Sequence, residues 1–524
     1  MVTVTPQGII YLCNTPLEND YKNQLTFTTA QKQLEYFNSK VIKEFDNYTY
    51  IKKDNVIKLG VNIDEIIGCN YLFYKNTGFT NKWYFCFISN KEYINENVTA
   101  ITIETDVFQT YQFDVTYKTS FIEREHVNSD GYGEHTVPEA LETGEYIYQD
   151  IQTTDIGDSH IVILSTVNPT TLTANSGGMY GGVPSGALYY LCRDNTALNS
   201  ALNNLANNGK ADSVLAVFLA PDFITGYDYI HTSWDTMGLY LLPNTTSAAT
   251  GTGIAFNINP TTIDGYTPKN KKCFINPYYT FIVSNNQGGS MVYNIEDFYD
   301  NGTHTGGLNL YGVISAGASV RLIPENYKVT NKSFEIEDDP TYKYETNEYG
   351  LTMGKLPIGS WSSDVYTNWL TQNGVSIALN TTDGLLNQEI GDHVGHLNTI
   401  GNSVISIWQH SLVPTEARGN INSGDVTYGH GLMTYTTYIS TIKREYAKII
   451  DDYFSAFGYK VNAYKTPNIT GRAYWNYVKT IDCNIEGNIP TEHLNILKGV
   501  FNKGITFWHD PTKFLDYSQN NAIV

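Results

Sequence analysis

Apolar positions along the first 130 residues alternate more than they spiral. Ile101, Ile103, Thr105 and Val107 interleave with Thr102, Glu104 and Asp106, the period of two expected of a half-buried strand. NVIKLGVNID (55–64), NYLFYKN (70–76), KWYFCFISN (82–90) and VTAITIETDVFQTYQFDV (98–115) follow at short spacing, with Asn, Asp and Gly at the turns. FTTAQKQLEYFNSK (27–40) breaks the rhythm: Leu34 and Phe37 at i,i+3 predict a short helix. Residues 131–300 read as further strands, among them HIVILSTV (160–167), separated by polar, glycine-rich loops such as SGGMYGGVPSG (176–186) and TTSAATGTG (245–253). TALNSALNNLANN (196–208) predicts a helix with Leu198, Ala201, Leu202 and Leu205 on one face. A β-rich block resumes from KKCFINPYYTFIVSN (271–285) to ASVRLIPENY (318–327).

Towards the C-terminus the period lengthens. Ile439, Ile442, Tyr446, Ile449 and Tyr453 form a 3.6-residue stripe that predicts a helix over 437–460, with Gly458 as its stop. A second helix is predicted over 491–504, with Thr491 as N-cap, Leu494, Leu497, Val500 and Phe501 buried, and Gly504 closing it. The stretch GLLNQEIGDHVGHLNTIGNSVISIWQHSLVP (384–414) carries Leu386, Ile390, Val394, Leu397, Ile400, Val404, Ile407 and Trp408 at steps of three and four. Thr382 and Asp383 offer N-caps, Pro414 ends it, and Gly391 and Gly395 permit close helix approach. From Leu397 to Val413 the only titratable side chain is His410, and the flanks are rich in Asn, Thr and Gly. One reading is an amphipathic helix packed on a core. The other is a conditionally membrane-active loop. His393, His396 and His410 lie on or near this stretch and titrate close to neutrality, so acid would add positive charge beside Glu389 and Asp392. Solvated histidines with no switching role are the alternative.

Composition narrows the class. At 524 residues the chain exceeds one core and suggests about three or four domains. With 41% hydrophobic and only 16% charged residues it has a folded composition, and the periodicities above predict a multi-domain, mainly β protein with some α. Its 41 tyrosines join apolar rings to hydroxyls and suit broad interfaces. A net charge of −20 argues against gripping nucleic acid, which needs clustered Lys and Arg, but it does not exclude a protein that nucleic acid slides past, since an acidic wall repels phosphates. Cys13, Cys69, Cys86, Cys192, Cys273 and Cys483 form no C-x-x-C pair and are expected to be free thiols. MVTVTPQGII has no secretory pattern, and no apolar run of 18 residues predicts an ordinary membrane span.

The densest chemistry is SFIEREHV (120–127). Strict alternation would send Glu123 and Glu125 one way and Arg124 and His126 the other. Two carboxylates on one face could serve acid/base work. A solvated strand end or an inter-subunit salt-bridge set is the reading adopted here. His393 and His396 form H-x-x-H, but zinc needs further ligands that the sequence does not point to. Neither a phosphate-cradling G-x-x-x-x-G-K-[ST] nor a G-x-S-x-G elbow occurs. No catalytic residue, metal or cofactor is therefore expected.

SFIEREHV, the N-terminal LENDYKNQLTF (17–27) with YFNSK (36–40), and the C-terminal FGYKVNAYKTPN, RAYWNYVKTIDCNIEGNIP and VFNKGITFWH (457–509) together resemble the distal tail knob, or major tail, proteins of small short-tailed phages of Gram-positive hosts, the Picovirinae type. The match spans about residues 1–127 and 430–510. The resemblance implies a homohexameric tube of β-barrel-like domains with an inserted β-rich knob region. It implies a wall built from residues 1–130, 301–373 and 429–524, a knob from 131–300, and a channel-plugging loop over 374–428 that exits to help breach the host membrane. Other tail proteins (collar and appendages), the host membrane transiently, and genomic DNA passing without specific binding would be its partners. Glu123, Arg124, Glu125 and His126 would then serve assembly. A receptor- or glycan-binding adhesin is the competing function. A wall-degrading enzyme using Glu123 and Glu125 ranks third, since i,i+2 side chains on one strand do not by themselves provide opposed faces for a scissile bond.

Overall fold

The computed structural model describes residues 7–48, 55–76, 82–156, 159–175, 178–180, 183–210, 213–225, 233–242, 249–286, 288–298, 305–314, 318–325, 327–328, 349–355, 358–360 and 434–523. The amphipathic stretch 384–414, with Leu386, Ile390, Val394, Leu397, Ile400, Val404, Ile407, Trp408 and the histidines 393, 396 and 410, lies outside them. The chain forms two compact units. The first comprises Met1–Glu142, Tyr266–Cys273 and Glu445–Val524, and the second Thr143–Gly265 and Phe274–Arg444. Both are mostly β.

In the first unit a six-stranded sheet runs in the order Val41–Tyr48, Gly8–Cys13, Tyr71–Asn76, Trp83–Asn95, Val98–Thr105, Val56–Leu59, and every pairing is antiparallel. Its central strands are continuous apolar runs because both faces are covered. Tyr71, Phe73, Phe85 and Phe87 enter one core, while Leu72 and Cys86 enter another with Ile10, Leu12, Ile57, Leu59, Ile101 and Ile103. The predicted alternation is present over 101–104, where Ile101 and Ile103 are buried and Thr102 and Glu104 are not, but Val107 begins a short helix, Val107–Tyr111, capped by the Asp106 side chain. The predicted helix near residue 30 spans Ala30–Asn38, with the Thr29 hydroxyl accepting from the Lys32 N–H at 3.2 Å. Phe37 is fully buried in the first core, an interaction worth roughly 1.5–3 kcal/mol.

The five-stranded sheet of this unit joins the two chain ends. Its order is Asn23–Leu25, Ile505–Trp508, Trp475–Ile481, Ser120–Glu125, Tyr459–Lys465. Asn23–Leu25 pairs with Ile505–Trp508 in parallel and the other pairings are antiparallel. The helix Thr491–Lys503 buries Leu497, Val500 and Phe501, and Gly504 ends it at φ +97°. Thr491 is its first residue rather than its cap; Pro490 precedes it and supplies no side-chain hydrogen bond.

The second unit contains two four-stranded sheets, one five-stranded sheet and a two-stranded one among its described residues. Ser159–Ser165 is central to the five-stranded sheet, flanked by Leu188–Cys192 and Val214–Pro221. The helix Asn195–Asn207 buries Leu198, Ala201, Leu202 and Leu205, as its periodicity predicts. The described strands of 301–373, namely Thr305–Gly312, Ser319–Glu325, Leu351–Lys355 and Ile358–Ser360, belong to this unit.

The predicted helix over 437–460 is two elements. Thr434–Ile442 is a strand between Tyr146–Asp155 and Tyr279–Ser284, and the helix runs only from Arg444 to Phe457. The i,i+3 spacing of Ile439 and Ile442 imitates a helix, but TYISTI is dense in β-branched and aromatic residues, which favour a strand. The buried face of the helix is Ala447, Ile450, Asp451 and Phe454, while Ile449 is 64% exposed.

Candidate functional site

Within the first unit, Ser120–Glu125 lies between Tyr459–Lys465 and Trp475–Ile481. Against the latter the register steps from Lys479↔Arg124 to Thr480↔Ile122, leaving Glu123 as an extra residue. This bulge breaks the strict alternation expected from sequence. Arg124, Glu125 and His126 are all buried, so the solvated strand end expected of them is not what forms. Only Glu123 remains about one-third exposed, paired with the Lys479 ammonium at 2.8 Å.

Each buried group has partners within the unit. The Arg124 guanidinium donates to the Gly458 carbonyl at 2.6 Å, lies over the Tyr453 ring at 4.7 Å and pairs with Glu139. Glu139 also accepts from Lys272 Nζ at 2.6 Å and from the Lys460 N–H at 2.8 Å. Burial, then the like charge of Arg124, pushes the Lys272 ammonium down. Glu125 pairs with Lys465 and accepts from the Asn468 N–H at 3.1 Å. Burial pushes its carboxyl up, and those two partners pull it back. His126 Nδ1 accepts from the Tyr477 N–H at 2.8 Å and Nε2 faces the Ser455 carbonyl at 3.0 Å, which fixes a neutral Nε2–H tautomer. Burial and the nearby Arg472 charge hold it down to about 3.

Gly458 makes this packing possible. It ends the helix at φ +65°, and a Cβ there would sit 2.3 Å from the Glu125 carbonyl oxygen. Beside it, Asp451 clasps the short segment 266–273. Its Oδ2 accepts from Tyr266 Oη at 2.7 Å and the Lys269 N–H at 3.0 Å, and its Oδ1 from the Asn270 N–H at 2.9 Å. Three stretches distant in sequence, 120–139, 266–273 and 445–472, are thus locked by buried, hydrogen-bonded charge. Glu139, Lys272 and Asp451 were not legible as site residues. Asp451 within IIDDYF carries the one usable signal, an acid among apolar helix positions.

The contacts of this arrangement are anchoring ones. Glu123 and Glu125 are each held by a lysine and separated by the bulge, so they do not face one another across a cleft. Among the described residues no group of three or more His, Cys, Asp and Glu is placed to hold a metal, and no helix is long and apolar enough to cross a membrane. All six cysteines are buried free thiols, as their spacing predicts.

Comparison with known proteins agrees with the resemblance read from sequence. Residues 242–522 match the family model of the C-terminal domain of the Bacillus phage phi29 tail knob protein gp9, and residues 6–117 match that of the caudoviral major tail protein N-terminus. The chain is 26% identical to tail knob protein gp9 of Bacillus phage B103 and 23% identical to that of phi29, each over 97% of both chains. The structure of the bacteriophage C1 tail knob protein gp12 shares the fold, with a TM-score of 0.64 at 15% identity over 99% of this chain and 100% of that one. With one family model covering more than half of its length, this chain belongs to the tail knob protein gp9 family and is a structural component of a phage tail.

Proposed function

We propose that this protein forms a homohexameric tube and knob at the tail tip, through which the genome leaves. The observation that carries the reading is membership of the tail knob family over most of the chain. A first unit woven from both chain ends supports assigning the wall to it and the knob to the second unit; because the described strands of 301–373 lie in that second unit, they go with the knob rather than with the wall that the resemblance implies. A ring needs a heterologous interface that closes by rotation. In this reading Glu123, with Lys479, faces a neighbouring copy, while Arg124, Glu125 and His126 act inside the subunit to set that edge. The net charge of −20 suits a passage that must not hold phosphates. The loop 374–428 plugs the channel and exits to help breach the host membrane; its amphipathic, charge-poor stretch supports this. Collar and appendage proteins are its tail partners. The test is the mass of the purified protein together with its image: six copies around an open axis support the reading, and a monomer removes it.

A second reading, receptor or glycan binding, draws on a cavity of about 330 Å³ in the second unit. Gln149, Asp150, Gln152 and Asn257 stand there beside Phe256, a lining able to hydrogen-bond a sugar against a ring. Binding to a glycan array that is lost in a Gln152→Ala variant supports it, and an array with no hits dismisses it.

A further inference from the structure

The first unit also holds a cavity of about 650 Å³, a volume typical of small-ligand sites. Its walls include Arg472, Asn521, Lys269, Lys271 and Tyr517. Arg472 is 7% exposed. Its guanidinium carries five N–H donors and remains charged. Yet among the described residues it makes one hydrogen bond, a long one of 3.5 Å from Nη1 to the Asn521 carbonyl, and its buried Nε has no partner. The other two buried Lys or Arg side chains among the described residues of this unit, Arg124 and Lys272, both reach Glu139. Asp130 lines the same cavity; burial pushes its carboxyl up and the Arg472 charge pulls it back, but its oxygens accept from Tyr459 Oη at 2.7 Å and from the Lys271 N–H at 3.1 Å rather than from the guanidinium. A buried guanidinium with so few hydrogen bonds points to a missing acceptor.

A second donor is orphaned on the same wall. Asn521 is 9% exposed; its Oδ1 accepts from the Trp475 N–H at 3.4 Å, while its buried Nδ2 has no partner. Trp475 and Tyr517 meet edge to face at 5.4 Å and supply an apolar surface. We propose that this cavity binds a carboxylate, held by the planar fork of Arg472 and the Asn521 amide, with its organic body against Tyr517. The fork geometry matches a carboxylate's two oxygens. Asp130 and the exposed Asp452 share the cavity and would repel a dianionic phosphate more than a singly charged acid. The carboxylate comes either from a free organic acid or from a side chain of a neighbouring protein copy.

The test uses the full-length protein. Its Tm is followed while acetate, phenylacetate, phosphate or chloride is added at constant ionic strength. Saturable stabilisation by both carboxylates is expected, stronger for phenylacetate, with phosphate weaker and chloride inert. Arg472→Met should abolish the effect, and Asn521→Ala, the milder variant should the first not fold, should weaken binding about tenfold. Oligomeric mass at saturating phenylacetate separates the sources: dissociation assigns the native carboxylate to a neighbouring copy, and an unchanged mass assigns it to a free acid. No saturable response to carboxylates, a stronger response to phosphate, or unaltered binding in both variants overturns the proposal.

Discussion

Replacing Glu139 with Gln removes the one carboxylate that Arg124 and Lys272 share. At the 2.6 Å separation of Lys272 and Glu139 the attraction is about 6 kcal/mol at an effective dielectric of 20, before desolvation is counted. Two buried cations would remain facing a neutral amide. Breaking a buried pair from one side costs about 3–5 kcal/mol, most of it the uncompensated charge left behind. The Glu123–Lys479 pair, each side chain about one-third exposed, is screened by water, and Glu123→Gln should cost under about 1 kcal/mol. Hydrogen exchange of the amides of 120–126 and 458–465 reads the difference locally. Glu139→Gln should lower protection by about two to four powers of ten, and Glu123→Gln by less than about fivefold. Replacing the whole cluster by Arg124→Met, Glu139→Leu and Lys272→Met should recover most of the loss, because no buried charge is then unpaired. Protection in Glu139→Gln within fivefold of the parent, or an equal loss in both single variants, would refute the reasoning.

The remaining predictions concern neighbouring features. His126 has a folded pKa of about 3, below its unfolded value of about 6.5, so the unfolded chain binds the extra proton between them. Its contribution is therefore full above about pH 6.5 and is lost as pH falls towards 3, by up to about 1.4 kcal/mol per pH unit; His126→Gln should flatten the acid limb of a Tm-against-pH curve, and superimposable limbs would contradict this. Gly458→Ala places a methyl group against the Glu125 carbonyl in a left-handed turn, and should cost more than about 1 kcal/mol in denaturant titration, whereas a neutral result would remove the close-approach argument. Glu123→Gln should leave the subunit folded and impair ring assembly, checked by sedimentation; normal assembly would free Glu123 from that role. Deleting 384–413 should abolish liposome leakage by the intact protein, and equal leakage from both would remove the membrane step.

Much of the fold is legible because burial repeats along the chain. The runs around Phe73 and Phe85 announce strands covered on both faces, and the alternation of Ile101 and Ile103 announces a strand entering one core. Thr434–Ile442 was obscured because Ile439 and Ile442 satisfy helical and extended spacing at once, and only pairing with two partner strands decides. The site was half legible. SFIEREHV drew notice as charge on a strand, but the bulge at Glu123 depends on partners more than 330 residues away. Glu139 follows it across an irregular segment and Lys272 lies far away in sequence, and nothing local marks either as its counter-ion. Arg472 carries no local signal either: what distinguishes it is how few hydrogen bonds its buried guanidinium makes.

Ring closure is the claim on which the conduit depends, and native mass combined with electron-microscopic class averages of the purified full-length protein tests it most directly. Six copies surrounding an open axial hole is the predicted result. A compact single copy, or an assembly with no central opening, would contradict the account.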